Sequence, residues 1–264
     1  MGQGAGVGTE RTWNRADVVA TYTHRHHLTP AETRVVAECF GLIANGAVLD
    51  VGVGAGRTVP YLAPLAATYL GIDIMPNMLA AAQAAYPEHA FALGDARALP
   101  WADGQASFVM FSFCGIDYMP PADRAQVLAD VFRVLRPGGA FAMSTHNLAA
   151  RPAGPSPFVV PRPTLTRDPL RNAVALTRAA RAAVRGYVNY RALRAQEQRG
   201  PDVAVLNDGA HDYALLTTYV TQAAQRAALE AAGFHVRLVL DPDGRTAAAS
   251  SMARDLYFVA DRPR

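Results

Sequence analysis

The 264-residue sequence predicts a doubly wound α/β fold, a mostly parallel sheet with helices on both faces and a lid inserted late in the chain. Three observations predict it. An apolar run, Val48 to Val51, leads into glycines at alternate positions, Gly52, Gly54 and Gly56. That is a buried strand followed by a turn whose backbone comes close to a ligand. Two further strand-length runs also end in acids, Asp73 and Asp95. Helix start and stop signals separate these runs, which is the rhythm of strand–helix–strand units.

In order, residues 13–24 suggest a short helix, with about ten disordered residues before it. Tyr22 on that helix is placed to fold over the ligand edge of the sheet and cover a cofactor. His24, His26 and His27 follow, but no carboxylate or cysteine stands at ligand spacing, so no metal is expected. Thr29-Pro30-Ala31-Glu32 is a capping box with proline at the first helical position. The helix it starts ends at Asn45-Gly46, and strand one occupies 47–51. Position 57 is Arg, so the dinucleotide pattern G-x-G-x-x-G is not met. Asp50 stands two residues before the first glycine. A carboxylate there suits a cationic amino group, such as the amino-acid end of S-adenosylmethionine (SAM), and would repel a pyrophosphate. Strand two, 67–73, ends in Asp73, which lies 17 residues after Gly56, where an acid accepts ribose hydroxyls. Ile74, Met75 and Met78 supply apolar surface for an adenine. Strand three, 90–93, precedes Asp95 and Ala96, an acceptor for the adenine amino group or an ordinary turn. Strand four, 107–113, is apolar nearly throughout and therefore central. A helix over 123–135 stops at Arg136-Pro137-Gly138-Gly139, and strand five, 140–145, delivers Thr145-His146-Asn147 to the same edge.

The net charge of +3 is mild, and every basic side chain is Arg. With abundant Ala, that points to GC-rich coding rather than to phosphate binding. Cys39 and Cys114 are too few for a disulfide framework. No apolar run approaches the roughly 18 residues of a membrane span, and no hydrophobic signal core leads the chain, so a cytoplasmic protein without a membrane partner is expected.

As a set, Asp50-x-Gly-x-Gly-x-Gly, Gly71-Ile72-Asp73, Gly94-Asp95-Ala96 and Arg133-Val-Leu-Arg-Pro-Gly-Gly139 resemble the Rossmann-like (class I) SAM-dependent methyltransferases over residues 45–147. The resemblance implies a seven-stranded sheet of order 3-2-1-4-5-7-6 with strand seven antiparallel. It implies that Asp50 and the glycines hold the methionine part, Asp73 the ribose, and Asp95 with Ala96 the adenine. Ser112 and Phe113 would line the cofactor's inner side. The chain lacks the Asn/Asp-Pro-Pro-Tyr run of nucleobase-amine methyltransferases and the Pro-Cys nucleophile of cytosine-C5 enzymes, and Cys114 follows Phe. Both departures favour a small-molecule acceptor over nucleic acid.

Residues 150–169 are proline-rich, and a helical pattern returns from Leu170 to about Arg199. Nine Arg stand between 162 and 199 against Asp168 and Glu197. That face is solvated, clamps an acidic substrate, or faces RNA. Residues 150–215 are expected to form a lid within one domain spanning 1–264, closed by a helix and two strands. His146 is the candidate general base, Asn147 a substrate-orienting group, and Tyr118 and Tyr190 join Tyr22 in an aromatic wall around a sulfonium. The expected function is in-line methyl transfer from SAM to a small molecule, by a monomer or homodimer. Two alternatives stay open: cyclisation of SAM itself with release of methylthioadenosine, and a non-catalytic SAM-binding or RNA-associated module.

Overall fold

The computed structural model describes residues 6–152 and 157–264, with side chains from Thr9 onward. The central strand, β1 (Ala47–Val51), lies parallel between β2 (Thr68–Asp73) and β4 (Ala106–Phe111). Beyond β2 lies β3 (Phe91–Leu93), and beyond β4 lies β5 (Leu135–Asn147). Strand β10 (Asp255–Asp261) runs antiparallel to β5, with β9 (His235–Leu240) beyond it. The core order is therefore β3-β2-β1-β4-β5-β10-β9, the 3-2-1-4-5-7-6 arrangement with the chain's last strand antiparallel.

Every residue of β4 is buried because both faces of the sheet are covered. On one face Leu49, Val109 and Phe111 pack with Val127 and Val131 of α7 (Pro121–Val134) and Leu229 of α10 (Gln222–Ala231). On the other, Val48, Phe108 and Met110 meet Val35 of α3 (Pro30–Glu38), Ile43 of α4 (Phe40–Ile43), Leu62 of α5 (Val59–Leu62) and Leu79 of α6 (Pro76–Ala85). The capping box at Thr29 and Glu32 forms in both directions.

Four expectations change. Among the described residues the sheet has ten strands rather than seven. The extra ones are β6 (Gln198–Arg199), β7 (Val203–Leu206) and β8 (Thr217–Val220), all from the excursion after β5. The reason is an exposed strand edge. Strand β4 stops at Phe111, while β5 continues to Asn147. Beyond the end of β4, β8 pairs with His146 and Asn147. Strand β5 also begins at Leu135, five residues early, because the Arg136–Gly139 turn is drawn into it across a register shift. The N-terminal helix is two helices, α1 (Gly6–Trp13) and α2 (Ala16–Thr23), so residues 6–10, expected to be disordered, are helical. Residues 1–5 lie outside the described residues, as does 153–156 of the proline-rich stretch. Last, the helical return is α8 (Pro169–Leu193), capped by the Asp168 carboxylate and shorter than expected.

Candidate active site

A cleft of about 380 Å³ opens at the carboxyl ends of β1, β2 and β4, where doubly wound sheets bind their ligands. The glycine loop forms its floor, and all three glycines have positive φ, 64°, 57° and 89° at Gly52, Gly54 and Gly56. Their roles differ. A Cβ on Gly54 would meet nothing within 4 Å, so its backbone faces open space in the cleft. A Cβ on Gly52 would stand 2.7 Å from the Phe111 ring, and one on Gly56 2.8 Å from the Tyr86 ring. Gly56 therefore serves packing against α6 and does not line the cleft, a correction to its expected role.

Asp73 lines the cleft with its carboxylate held in place. The backbone N–H of Gly54 donates to Oδ2 at 2.8 Å and that of Met75 to Oδ1 at 2.8 Å. Burial pushes this carboxyl above its ordinary value against the pull of those N–H groups. Asp95 also lines the cleft, with Ala96 beside it, but its carboxylate grips Arg97 at 2.6 Å, and Arg97 reaches on to Asp123 at 2.8 Å. The guanidinium holds the Asp95 carboxyl below its usual range. Ile74, Met75 and Met78 line the same end, and Met75 and Met78 pack with Val18 of α2.

Ser112 and Phe113 form the inner wall. The chain leaves β4 through two consecutive left-handed residues, Phe113 (φ 54°) and Cys114 (φ 55°), and the Cys114 N–H donates to Ser144 Oγ at 2.8 Å. Tyr22 and Tyr118 line the cleft as expected. Between them stands Trp13, absent from the sequence reading, with ring centroids 5.4 Å from Tyr22 and 4.9 Å from Tyr118. Arg57 was missed too. Its guanidinium makes a bidentate pair with Glu32, both bonds 2.6 Å, and sits 4.8 Å over the Phe113 ring. The signal for it was present, an Arg in place of a fingerprint glycine, but its partner lies 25 residues upstream. No comparable signal marks Trp13.

Four other expected residues stand away from the cleft. Asp50 is fully buried beneath the loop, where Oδ2 accepts from Thr58 Oγ1 at 2.5 Å and Tyr69 OH at 3.0 Å, while Oδ1 has no partner among the described residues. Alternation along β1 points it away from the Val51 side. Asn147 is fully buried, its Nδ2 donating to the carbonyls of Ser251 and Ala253 and its Oδ1 accepting from the Ala149 N–H. It ties the end of β5 to a loop, with both amide hydrogens taken and the side chain buried away from the cleft. Tyr190 packs with Phe158 and Tyr213 inside the excursion.

His146 is one layer behind the wall, its ring 6.4 Å from that of Tyr118 and 5.2 Å from that of Tyr219. Its Nδ1 meets Asp117 Oδ2 at 2.7 Å. Burial pulls the imidazole down, but the Asp117 hydrogen bond and charge, with Asp255 and Asp208, raise it above its ordinary value. Cys114, Asp117 and His146 place ligand-type atoms within 4.8 Å of one another. The Asp117 carboxylate there already accepts from Arg124, Thr145, and both the backbone and ring nitrogens of His146. That saturates it, and the cluster reads as a hydrogen-bond network joining β5 to the cleft wall.

Residues 48–139 match a family model described as a methyltransferase domain. An uncharacterized methyltransferase of Synechocystis sp. is 33% identical over 119 residues, which is 45% of this chain and 53% of that protein. A demethylmenaquinone methyltransferase of Beutenbergia cavernae is 34% identical over 106 residues, covering 40% and 43%. The chain thus spans about half, or less, of the length of these curated relatives. The solved structure of an S-adenosylmethionine-dependent methyltransferase from Mesorhizobium loti aligns with TM-score 0.59 at 18% identity over 88% of this chain and 98% of that one. The CcbJ methyltransferase from Streptomyces caelestis aligns with TM-score 0.62 at 17% identity over 97% and 99%. Strand order, cleft position and these likenesses agree: residues 48–139 match a methyltransferase-domain model, and the chain has the fold of the class I SAM-dependent methyltransferases.

Proposed function

We propose that the chain binds SAM in this cleft and transfers its methyl group to a small-molecule acceptor. The observation that carries the reading is the pairing of Gly54, open to the cleft, with the buried Asp73 carboxylate that its N–H holds. Each Asp73 oxygen accepts one backbone bond and keeps a lone pair for a ribose hydroxyl. The open Gly54 backbone admits the amino-acid part, and Ile74, Met75 and Met78 offer apolar surface to an adenine. Asp95 adds an acceptor there, with Arg97 holding it ionised.

Bound SAM supplies a methyl group already activated by a positive sulfur. What remains for the chain is to position, to align and to exclude water. Trp13, Tyr22 and Tyr118 form three aromatic sides of the cleft, favourable for a sulfonium and poorly hydrated. Burial pushes the Tyr118 phenol far above its ordinary value, so it stays protonated and acts as a hydrogen-bonding wall rather than a base. His146 stands behind Tyr118 and serves as a base only if Tyr118 moves. The reading therefore favours acceptors whose nucleophile needs no proton removed by the chain. Support for a small acceptor comes from the relative named for demethylmenaquinone and from another, in Methylobacterium radiotolerans, named for trans-aconitate.

The test is to incubate purified protein with methyl-labelled SAM and an extract of small metabolites, then to identify products by mass. S-adenosylhomocysteine plus a labelled metabolite is the expected outcome. Methylthioadenosine as the sole cofactor product, or no turnover despite SAM binding, overturns the proposal.

A further inference from the structure

We propose that the outer face of α8 docks the protein onto anionic lipid bilayers. The proposal is independent of the chemistry in the cleft. Helix α8 faces inward through Gly186 and Tyr190, which pack on Phe158 and Tyr213. Opposite that face, Leu170, Val174, Thr177, Arg181, Val184 and Val188 recur at alternating spacings of four and three, one continuous stripe along the helix. Its aliphatic members are 79% (Leu170), 51% (Val174), 68% (Val184) and 61% (Val188) exposed. Before the helix, Val159, Val160 and Leu165 are exposed as well. The aliphatic residues cluster at the two ends of this face, Leu170 and Val174 at one and Val184 and Val188 at the other, with Thr177 and Arg181 between them, and exposed apolar clusters interleaved with arginine mark an interfacial helix face.

The charge around the stripe says what covers it. Residues 157–199 hold nine Arg against two acids, plus seven, in a chain whose total is +3, so the rest carries minus four. All nine arginines are exposed. Arg171 and Arg185 reach Asp168 and Asp212, whereas Arg162, Arg167, Arg178, Arg181 and Arg191 have no ion pair among the described residues. A second copy across a twofold axis would set plus seven against plus seven. RNA would leave the aliphatic stripe uncovered. An anionic bilayer satisfies both features at once: the stripe sinks to the acyl boundary and the arginines extend their stems to headgroup phosphates. No helix among the described residues is long and apolar enough to cross a membrane. The expectation of no membrane partner rested on that absence, and a helix lying in the interface plane needs no span.

The test is co-sedimentation of the full chain with phosphatidylcholine vesicles, with and without phosphatidylglycerol. Binding only to the anionic vesicles, falling as salt rises, is expected. Arg178→Gln with Arg181→Gln should lower partitioning roughly thirtyfold, from about one decade of affinity per one to two basic groups. Val184→Asp with Val188→Asp should lower it roughly tenfold or more. Leu170→Asp is the second apolar variant should the Val pair fail to fold, and circular dichroism checks each. No vesicle binding by the folded parent overturns the proposal. So does binding that the Arg pair abolishes and the apolar variants leave intact, or a dimer abolished by the Val pair without any vesicle binding.

Discussion

The half of the sheet from β3 to β4 and the excursion between β5 and α10 approach the same cleft but are built by different rules. In the first, strands buried on both faces end in groups that complete the site through their own backbone, as Gly54 does with Asp73. In the second, short strands and α8 gather around Phe158, Tyr190 and Tyr213, and the excursion reaches the cleft wall through His211, 4.8 Å from Trp13. His211 is held there by a left-handed turn, φ 49°, and burial lowers its imidazole below the ordinary value. The base of the cofactor half is therefore a bond between two of its own motifs, the glycine loop and the acid that ends β2. The excursion is held by its own small core and can change its surface without disturbing the glycine loop.

Breaking the cofactor half at its base should give the largest effect. Glu32→Ala leaves Arg57, only 10% exposed, without its bidentate partner. Stripping one partner from such a pair costs about 3–5 kcal/mol, and urea denaturation should register a loss of that size. A loss below about 1 kcal/mol, the worth of an exposed pair, would mean that the loop stands without it.

Asp50→Asn sharpens the distinction between support and ligand. Burial pushes this carboxyl from 3.8 to about 6, against hydrogen bonds from Thr58 and Tyr69. Its folded value is raised, so its contribution to stability is full below pH 3.8 and lost as pH rises through about 6. The amide should flatten that fall and gain on the order of 2 kcal/mol at neutral pH. SAM affinity within about twofold of the parent, by calorimetry, fits a strut beneath the loop, whereas a loss of one decade or more (about 1.4 kcal/mol) would return Asp50 to the ligand shell.

Asp73→Ala removes the acceptor of two backbone N–H groups together with the ribose contact proposed for it, and SAM affinity should fall roughly tenfold or more. An unchanged affinity would take Asp73 out of the site. The smallest effect is expected where the two regions join. The His146 imidazole is raised above 6.5, so its contribution to stability is full below that pH and lost as pH rises through the higher folded value. His146→Gln should flatten that slope by less than about 1 kcal/mol and leave SAM affinity unchanged. A weakened affinity would mean that His146 touches the cofactor.

Much of the cofactor half was legible from residue order. Gly52, Gly54, Asp73, Asp95, Ser112 and Phe113 all line the cleft, because each sits within a few residues of a strand end that apolar runs already mark. Tyr22 was found by the same logic of position before the sheet. Asp50 and Gly56 share the motif but not the cleft. Whether a strand residue faces the ligand or the helix beneath depends on alternation at a twisted edge, which a motif does not state. His146 and Asn147 stood at the right strand end, yet Asp117 holds His146 through Nδ1, and the Ser251 and Ala253 carbonyls take both amide hydrogens of Asn147.

The sequence by itself determined the chain order of strands β1 to β5, the glycine loop, the acid that ends β2 and the acid that follows β3, because burial pattern and turn chemistry act over short separations. Only the tertiary structure decided that Trp13 closes the cleft, that Arg57 turns to Glu32, and that β8 takes up the edge of β5 beyond Phe111. Those contacts join residues far apart in the chain, and nothing short of the packed sheet brings them within reach.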